Sequence, residues 1–326
     1  MALPKKPTPS VVSYPHRPNS PGAILAVILW LGSMWLLTMS LLFALIFATL
    51  RPYILTILLI LSIIPLPSHP LLMKAGEYIM LGAAHYFGIT LIATDPASLK
   101  SVTSGSITTL EPHDLLPYPL FAFTPTLKTS PFKNGCGLMT GIVFRLPIVR
   151  QIYTMCRAGD VGKSNFTRSL EEGKDVVFIP GGVQEVLLLK PDDDKVYLYL
   201  NKRKGFIKLA LTHGKPIIPC VAFGLDGSYG YWKPESAFLT RVARAIGFTP
   251  LVFWGRWGVP LFIPRPKKIT VVVGKPLRVD KIKQGGEEHL KERVEEVHAE
   301  WVKEMKGLWN EWRDELGYKG REVVVV

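Results

Sequence analysis

The chain has 326 residues, of which 48% are hydrophobic, and it carries a formal net charge of +13. This length allows one large catalytic domain or two small ones, and the basic surplus fits an acidic lipid surface, a phosphorylated ligand or nucleic acid. Nucleic acid is the poorest fit, because the sequence has no zinc-finger spacing, no basic helix with heptads and no aromatic RNA-binding signature.

The three cysteines, Cys136, Cys156 and Cys220, are odd in number and far apart. Neither a disulfide framework nor a CxxC metal site is indicated. The sequence contains no other cluster of metal ligands, so we predict no metal site.

Residues 1–22 are rich in proline and serine and contain no acidic residue. Such a segment offers too little apolar surface to offset the entropy of the chain. We therefore predict a disordered basic tail.

Residues 23–66 form a hydrophobic segment in which Arg51 is the only charged residue. The segment is too long for a cleaved signal sequence, whose apolar region is ~7–15 residues, and one spanning helix needs about 20. Arg51-Pro52 interrupts it. We predict a membrane hairpin with both ends in the cytosol, because basic residues flank it. The alternative is a single span, which would make Asn165 of Asn165-Phe166-Thr167 a glycosylation acceptor.

Strands and helices alternate in the remainder, residues 67–326, which we expect to form one domain. Short apolar runs predict strands, and a 3.6-residue periodicity predicts helices. The predicted strands cover residues 175–179, 196–200, 217–223 and 269–273, and the predicted helices cover 202–213 and 287–316. This alternation favours an α/β domain with a largely parallel sheet.

The first candidate loop is Glu111-Pro112-His113-Asp114. Proline prevents a regular helix here, so His113 should stand on a stiff turn. Its side chain titrates near neutrality, as a general base must. Either Glu111 or Asp114 could accept the other ring N–H. A capping or core histidine is the alternative.

The second candidate loop follows the predicted strand at 175–179 and contains Pro180, Gly181, Gly182 and Glu185. Ligands bind at the carboxyl ends of parallel strands, and two glycines allow a ligand to approach backbone N–H groups. Glu185 could bind substrate or hold the histidine loop. An ordinary tight turn is the alternative.

A basic cluster, Lys202-Arg203-Lys204-Gly205, precedes the predicted helix. Cations at a helix N-terminus suit phosphate groups such as those of coenzyme A; a solvated charged face is the alternative. A base, backbone donors and a phosphate site together are what acyl transfer from a thioester to an alcohol needs.

Two other motifs fail on inspection. Gly162-Lys163-Ser164 resembles the end of a P-loop, but Arg157 stands where its first glycine is required. Ser228 resembles the serine of a nucleophile elbow, but Asp226 stands two residues before it. An NTPase and a serine hydrolase are therefore rejected.

Several short blocks appear in the order and spacing of a known family. They are Glu111-Pro112-His113, Pro180-Gly181-Gly182 with Glu185, Arg203-Lys204-Gly205-Phe206, Phe223-Gly224, Phe248-Thr249-Pro250 with Phe253-Trp254-Gly255, and Val273-Gly274-Lys275-Pro276. From about Tyr86 to Tyr318 the chain resembles the type-2 diacylglycerol acyltransferase family, nearest to its plant and algal members.

The resemblance implies an enzyme that transfers a fatty acyl group from acyl-CoA, as co-substrate and without a cofactor, to diacylglycerol. It implies a glycerolipid-acyltransferase type of α/β domain, attached to the endoplasmic reticulum and also to lipid droplets. His113 would be the base, with no covalent acyl-enzyme. Glu185 and Arg203 would support the site or bind coenzyme A, and Pro180, Gly181, Gly182, Lys202 and Gly205 would bind substrate or coenzyme A. A homo-oligomer stays open.

Three positions depart from the family pattern: Gly88 replaces a proline, Glu111 replaces the first motif histidine, and Asp114 replaces a small residue. These departures keep an inactive membrane-anchored scaffold open as another class of function. A monoacylglycerol or fatty-alcohol acyltransferase is the nearer alternative.

Overall fold

The computed structural model describes residues 8–65, 69–103, 105–123, 134–190, 194–233, 236–246, 251–260, 262–282 and 287–326. Strands in these residues are β1 (Ser10–Ser13), β2 (Thr90–Ala93), β3 (Ile107–Glu111), β4 (Gly135–Met139), β5 (Ala158–Asp160), β6 (Asp175–Phe178), β7 (Lys195–Leu198), β8 (Ile217–Phe223), β9 (Gly230–Trp232), β10 (Val252–Trp254), β11 (Thr270–Val273) and β12 (Glu322–Val325). Helices are α1 (Pro21–Ile46), α2 (Arg51–Ile63), α3 (Pro70–Tyr86), α4 (Pro96–Lys100), α5 (Val149–Met155), α6 (Lys163–Glu171), α7 (Val183–Leu188), α8 (Gly205–His213), α9 (Ala237–Ile246) and α10 (Glu287–Trp312). Short 3-10 segments lie at Tyr118–Phe123, Gly141–Phe144 and Arg256–Gly258.

The main sheet has eight strands within the described residues, in the order β1-β2-β11-β8-β3-β6-β4-β5. The pairs β8–β3, β3–β6, β6–β4, β4–β5 and β2–β11 are parallel, and β1–β2 and β11–β8 are antiparallel. The prediction of an α/β domain with a largely parallel sheet is confirmed.

Apolar cores cover both faces of this sheet. Successive strand residues point to opposite faces, so Val271 and Val273 join one core and Val272 joins the other. The first core contains α1 and α3; the second contains α8 and α10. Trp301 of α10 is fully buried and donates from Nε1 to Thr109 Oγ1 at 2.8 Å.

The hydrophobic segment forms two helices, α1 and α2, with a break at residues 47–50. Arg51 stabilises the end of α1, because its Nε donates to the Ala44 carbonyl oxygen at 2.8 Å. Among the described residues α1 is the one helix long and apolar enough to cross a membrane. Its N-terminal half is buried in the first core through Val27 and Leu31, so this half belongs to the folded domain.

The predicted disorder of residues 1–22 is wrong for residues 10–22. Ser10–Ser13 pair with β2 as an antiparallel edge strand, and α1 begins at Pro21. The prediction failed because strand pairing with a distant segment supplies hydrogen bonds that local composition does not reveal. The first seven residues, and the predicted domain boundary at 66 and 67, lie outside the described residues.

Candidate active site

The two candidate loops lie side by side because their strands are neighbours. β3 and β6 are parallel, with Thr109 opposite Phe178, so both end at the same edge of the sheet. His113 follows β3, and Gly181 and Gly182 follow β6. The sheet-edge position expected for the second loop is therefore observed, and the first loop lies beside it.

Glu185 connects the loops. Its Oε2 accepts the backbone N–H of His113 at 2.8 Å, and its Oε1 accepts the backbone N–H of Tyr199 at 2.8 Å. The Glu185 side chain is buried. A buried carboxylate is stabilised when backbone donors satisfy both oxygens. The Glu185 side chain thus holds the turn that carries His113 by binding the backbone of that turn.

Glu111 is buried against the same carboxylate. Its Oε1 accepts the backbone N–H of Gly181 at 2.6 Å. Burial, and then the charge of Glu185, hold the pKa of Glu111 well above its ordinary value. Glu111 therefore holds a proton more strongly than an ordinary carboxyl does, and its buried Oε2 accepts no other hydrogen bond in the described structure.

This pairing corrects the expected role of Gly181. Its N–H is already donated to Glu111, so Gly181 is not available as an oxyanion or phosphate donor. Glycine is required there for space, because a Cβ at this position would lie 2.2 Å from Glu185 Cδ. Gly182 has a φ of +53° and lines the large cavity described below.

The His113 ring is oriented by a backbone carbonyl. Its Nδ1 lies 2.7 Å from the Asp114 carbonyl oxygen, which can only accept, so Nδ1 carries the hydrogen. The lone pair of the neutral ring is then on Nε2. Burial lowers the pKa of His113, so the ring is neutral at pH 7. The prediction that the Glu111 or Asp114 side chain orients the ring is wrong.

Asp114 makes a different contact. Its carboxylate accepts the hydroxyl of Tyr118, a buried residue of the Tyr118–Phe123 segment. Burial raises the pKa of Asp114 to about 7. The carboxyl faces a small cavity of about 90 Å³ behind the loop, which Glu185 also lines.

A large cavity of about 1220 Å³ opens on the other side of the loop. Six of the site residues predicted from the sequence line this cavity: His113, Pro180, Gly182, Lys202, Arg203 and Gly205. Apolar side chains line most of the remainder, among them Met34 of α1, Leu116 and Phe253. Glu111, Asp114, Gly181 and Glu185 are not among the residues that line this cavity and instead support its wall.

Arg203 has two roles in this wall. Its guanidinium donates to the Gly181 carbonyl oxygen at 3.0 Å and stacks 5.0 Å from the Tyr199 ring centroid. The positive charge beside the carboxyl pair opposes the effect of burial on the pKa values of Glu111 and Glu185.

Sequence reasoning missed three cationic lining residues, Lys163, Lys208 and Arg244. Lys163 begins α6, which follows β5 at the same sheet edge. A signal is present in the sequence, because Gly162-Lys163 opens a helix after a strand and so places a cation at a helix N-terminus. Lys208 lies on the predicted helix one turn after Lys204, so helical spacing alone could have placed it near the basic cluster.

The fold and site define an α/β protein with a neutral histidine at the edge of a parallel sheet, facing a large cavity with apolar and cationic walls. The diacylglycerol acyltransferase family model matches residues 72–326. The chain belongs to this family.

Curated relatives agree with the family match. The chain is 33% identical over 195 residues to diacylglycerol O-acyltransferase 1 of Eremothecium gossypii, covering 56% of this chain and 41% of the relative. It is 31% identical over 200 residues to diacylglycerol O-acyltransferase 1 of Schizosaccharomyces pombe, covering 57% and 55%. It is 27% identical over 267 residues to diacylglycerol O-acyltransferase 2 of Bos taurus, covering 74% and 69%. The chain thus spans about half the length of the first two relatives.

A solved structure is also similar in part. The 1-acyl-sn-glycerophosphate (LPA) acyltransferase PlsC from Thermotoga maritima aligns over 82% of this chain and 98% of that chain, with a TM-score of 0.38 and 17% identity. These values are too low to support an argument about the site.

Proposed function

We propose that this protein transfers a fatty acyl group from acyl-CoA to the free hydroxyl of diacylglycerol, giving triacylglycerol. The observation that carries the proposal is His113, a neutral histidine that faces the large cavity with its hydrogen on Nδ1. Family membership supports the choice of substrates.

In the proposed reaction His113 Nε2 accepts the hydroxyl proton as the alcohol oxygen attacks the thioester carbonyl carbon. The C–O bond forms, and the tetrahedral intermediate then breaks its C–S bond. The sulfur leaves as coenzyme A and takes the proton from the imidazolium. The ester and free coenzyme A account for all atoms without a covalent acyl-enzyme.

The cavity walls support the assignment of substrates. Two long acyl chains and a third on the thioester need a large apolar space, which this cavity offers. Lys163, Lys202, Arg203, Lys208 and Arg244 place five cations around it for the phosphates of coenzyme A.

We also propose that the protein lies on the cytosolic face of the endoplasmic reticulum and on lipid droplets, with α1 and α2 as a hairpin that enters the membrane from one side. From Leu36 to Ile46, α1 exposes most of its side chains. Eleven helical residues reach about 16 Å, whereas the hydrocarbon core is about 30 Å thick. An excursion of this length fits one leaflet, as the monolayer of a droplet requires.

The test of function supplies labelled acyl-CoA with diacylglycerol, monoacylglycerol or a fatty alcohol to membranes that contain the protein and have no other neutral-lipid synthesis. Labelled triacylglycerol is the expected product. If label appeared only in diacylglycerol or wax ester, the acceptor would be monoacylglycerol or a fatty alcohol, and the proposed acyl transfer would still hold. No labelled product from well-expressed protein would favour the inactive scaffold.

A further inference from the structure

The antiparallel pair β9 and β10 is apolar on both faces. On the inner face Tyr231 is opposite Phe253, and Phe253 is buried in the first core and lines the large cavity. On the outer face Trp232 is opposite Val252, and these side chains are 60% and 45% exposed. Strands with one solvent-exposed face usually alternate apolar with polar residues, so the apolar side chains on the outer face are unusual.

Two further aromatic side chains are exposed in the segments next to these strands in the sequence. Trp257, in the segment after β10, is 62% exposed, and Phe238 of α9 is 70% exposed. The guanidinium of Arg256 lies 4.7 Å from the centroid of the Trp257 ring. We name the outer face of β9 and β10 together with Trp257 the aromatic ribbon.

The segment of the sequence that carries the aromatic ribbon is strongly basic. Residues 230–268 contain seven basic residues and one acidic residue, Glu235. Arg241 and Arg244 of α9 are both exposed. A cationic surface with exposed tryptophan and arginine has the composition of proteins at a membrane interface, where aromatic rings lie at headgroup level and cations meet anionic lipids.

The aromatic ribbon adjoins the hydrophobic helix α1. Arg256 donates to the Pro18 carbonyl oxygen and to Asn19 Oδ1, each at 2.7 Å, directly before α1 begins. Trp35 of α1 packs edge-to-face on Phe262, with ring centroids 5.7 Å apart. The segment that follows β10 is therefore packed against α1 and the residues that precede it.

We propose that the aromatic ribbon is a second lipid-contacting surface, which docks on the headgroup region of a membrane or droplet that carries anionic lipid. Helices α1 and α2 anchor the chain, and the aromatic ribbon fixes how the domain lies on the surface. Because Phe253 lines the cavity from the inner face of the same strand pair, docking brings the cavity within one strand's thickness of lipid. This inference does not rest on the proposed reaction, since its test measures lipid contact.

The experiment places a photo-crosslinking side chain at single positions of the full-length protein, reconstituted in vesicles of phosphatidylcholine with a minor fraction of phosphatidylserine. The variants are Trp257→p-benzoylphenylalanine and Trp232→p-benzoylphenylalanine. The control is Lys303→p-benzoylphenylalanine, an exposed position of α10, which packs on the opposite face of the sheet. All three side chains are exposed, so the substitutions leave the core intact.

We expect both ribbon positions to crosslink to phospholipid severalfold more than position 303, and the yield to fall when phosphatidylserine is omitted. Lipid crosslinking at 232 and 257 no greater than at 303 would overturn the proposal. So would crosslinking of these positions mainly to a second copy of the chain, because the surface would then be a protein interface.

Discussion

At the scale of residues, the site depends on where one proton resides. Glu185 accepts two backbone N–H groups, and burial together with the charge of Glu185 raises the pKa of Glu111, so Glu111 is the carboxyl that keeps the proton. Two carboxyl groups this close share one negative charge. The ionised member positions His113, and the neutral member supports Gly181.

This difference gives a prediction for two matched variants. Glu111→Gln keeps a neutral donor and an acceptor, so we expect kcat close to that of the wild type. In Glu185→Gln the side-chain NH2 group faces one of the two backbone N–H groups that Glu185 accepts, so that hydrogen bond is lost and the His113 turn is released. We therefore expect kcat to fall about a hundredfold. Acyl-transfer assays on both variants check this ranking, and a greater loss in Glu111→Gln would reverse the assigned protonation.

Asp114 gives a prediction for stability. Its pKa is raised from 3.8 to about 7. A carboxyl whose pKa is raised by folding stabilises the protein fully below the unfolded value, and this stability is lost as pH rises through about 7. Asp114→Asn can still accept the Tyr118 hydroxyl. Because the wild type loses this stability between pH 3.8 and about 7, we expect the stability advantage of Asp114→Asn to grow from pH 5 to about pH 7, by on the order of 2 kcal/mol, and to stay constant up to pH 8.

Thermal unfolding of wild type and Asp114→Asn in one detergent, from pH 5 to pH 8, measures this difference. Curves that stay parallel over the whole range would show that Asp114 is ionised in the folded protein at every pH tested.

At the scale of elements, helix crossings decide which glycines can change. Gly76 of α3 lies against α5, and a Cβ there would be 1.8 Å from the Met155 carbonyl oxygen. A Cβ added at Gly307 of α10 would have no neighbouring atom within 4 Å. Both glycines lie inside long helices.

We expect Gly307→Ala to raise the free energy of unfolding by up to about 1 kcal/mol, the usual gain in helix propensity. We expect Gly76→Ala to lower it by about 2 kcal/mol, because α3 and α5 must separate. Unfolding of the two variants against the wild type gives the comparison. A stabilised Gly76→Ala would mean that α3 and α5 are not in contact.

The sequence predicts the strands and helices better than it predicts the contacts of single residues. Strands β6, β8 and β11 and helix α10 were predicted close to their observed bounds, because their periodicity or apolar runs are local properties. The Gly182 loop could be placed at a sheet edge because it directly follows a predicted strand, whereas no predicted strand placed the His113 loop beside it. The shared proton of Glu111, the backbone partner of the His113 ring and the pairing of β1 with β2 depend on distant neighbours, which local pattern does not encode.

At the scale of the whole molecule, the net charge of +13 is partly concentrated around the cavity. Lys163 and Lys208 line it, whereas Lys204 pairs outside it with Glu295 Oε1 at 2.7 Å. We expect Lys163→Ala and Lys208→Ala to raise KM for acyl-CoA severalfold with little change in kcat, since they bind a part of the substrate remote from the reaction. Lys204→Ala is the matched control.

Steady-state kinetics at two salt concentrations would measure this effect. The KM of the wild type should rise with salt more than the KM of the cavity variants, because screening weakens contacts that the variants have already lost. An equal rise of KM in Lys204→Ala and the cavity variants would indicate a general surface effect.

His113 is the base of the proposed reaction, and the most direct test of this role is the reaction itself. Membranes without other neutral-lipid synthesis would receive the wild type, His113→Ala or Glu111→Gln at matched expression, together with labelled acyl-CoA and diacylglycerol. We expect labelled triacylglycerol from the wild type and Glu111→Gln, and a loss of about two to four orders of magnitude in His113→Ala. Equal activity in His113→Ala and the wild type would contradict the account.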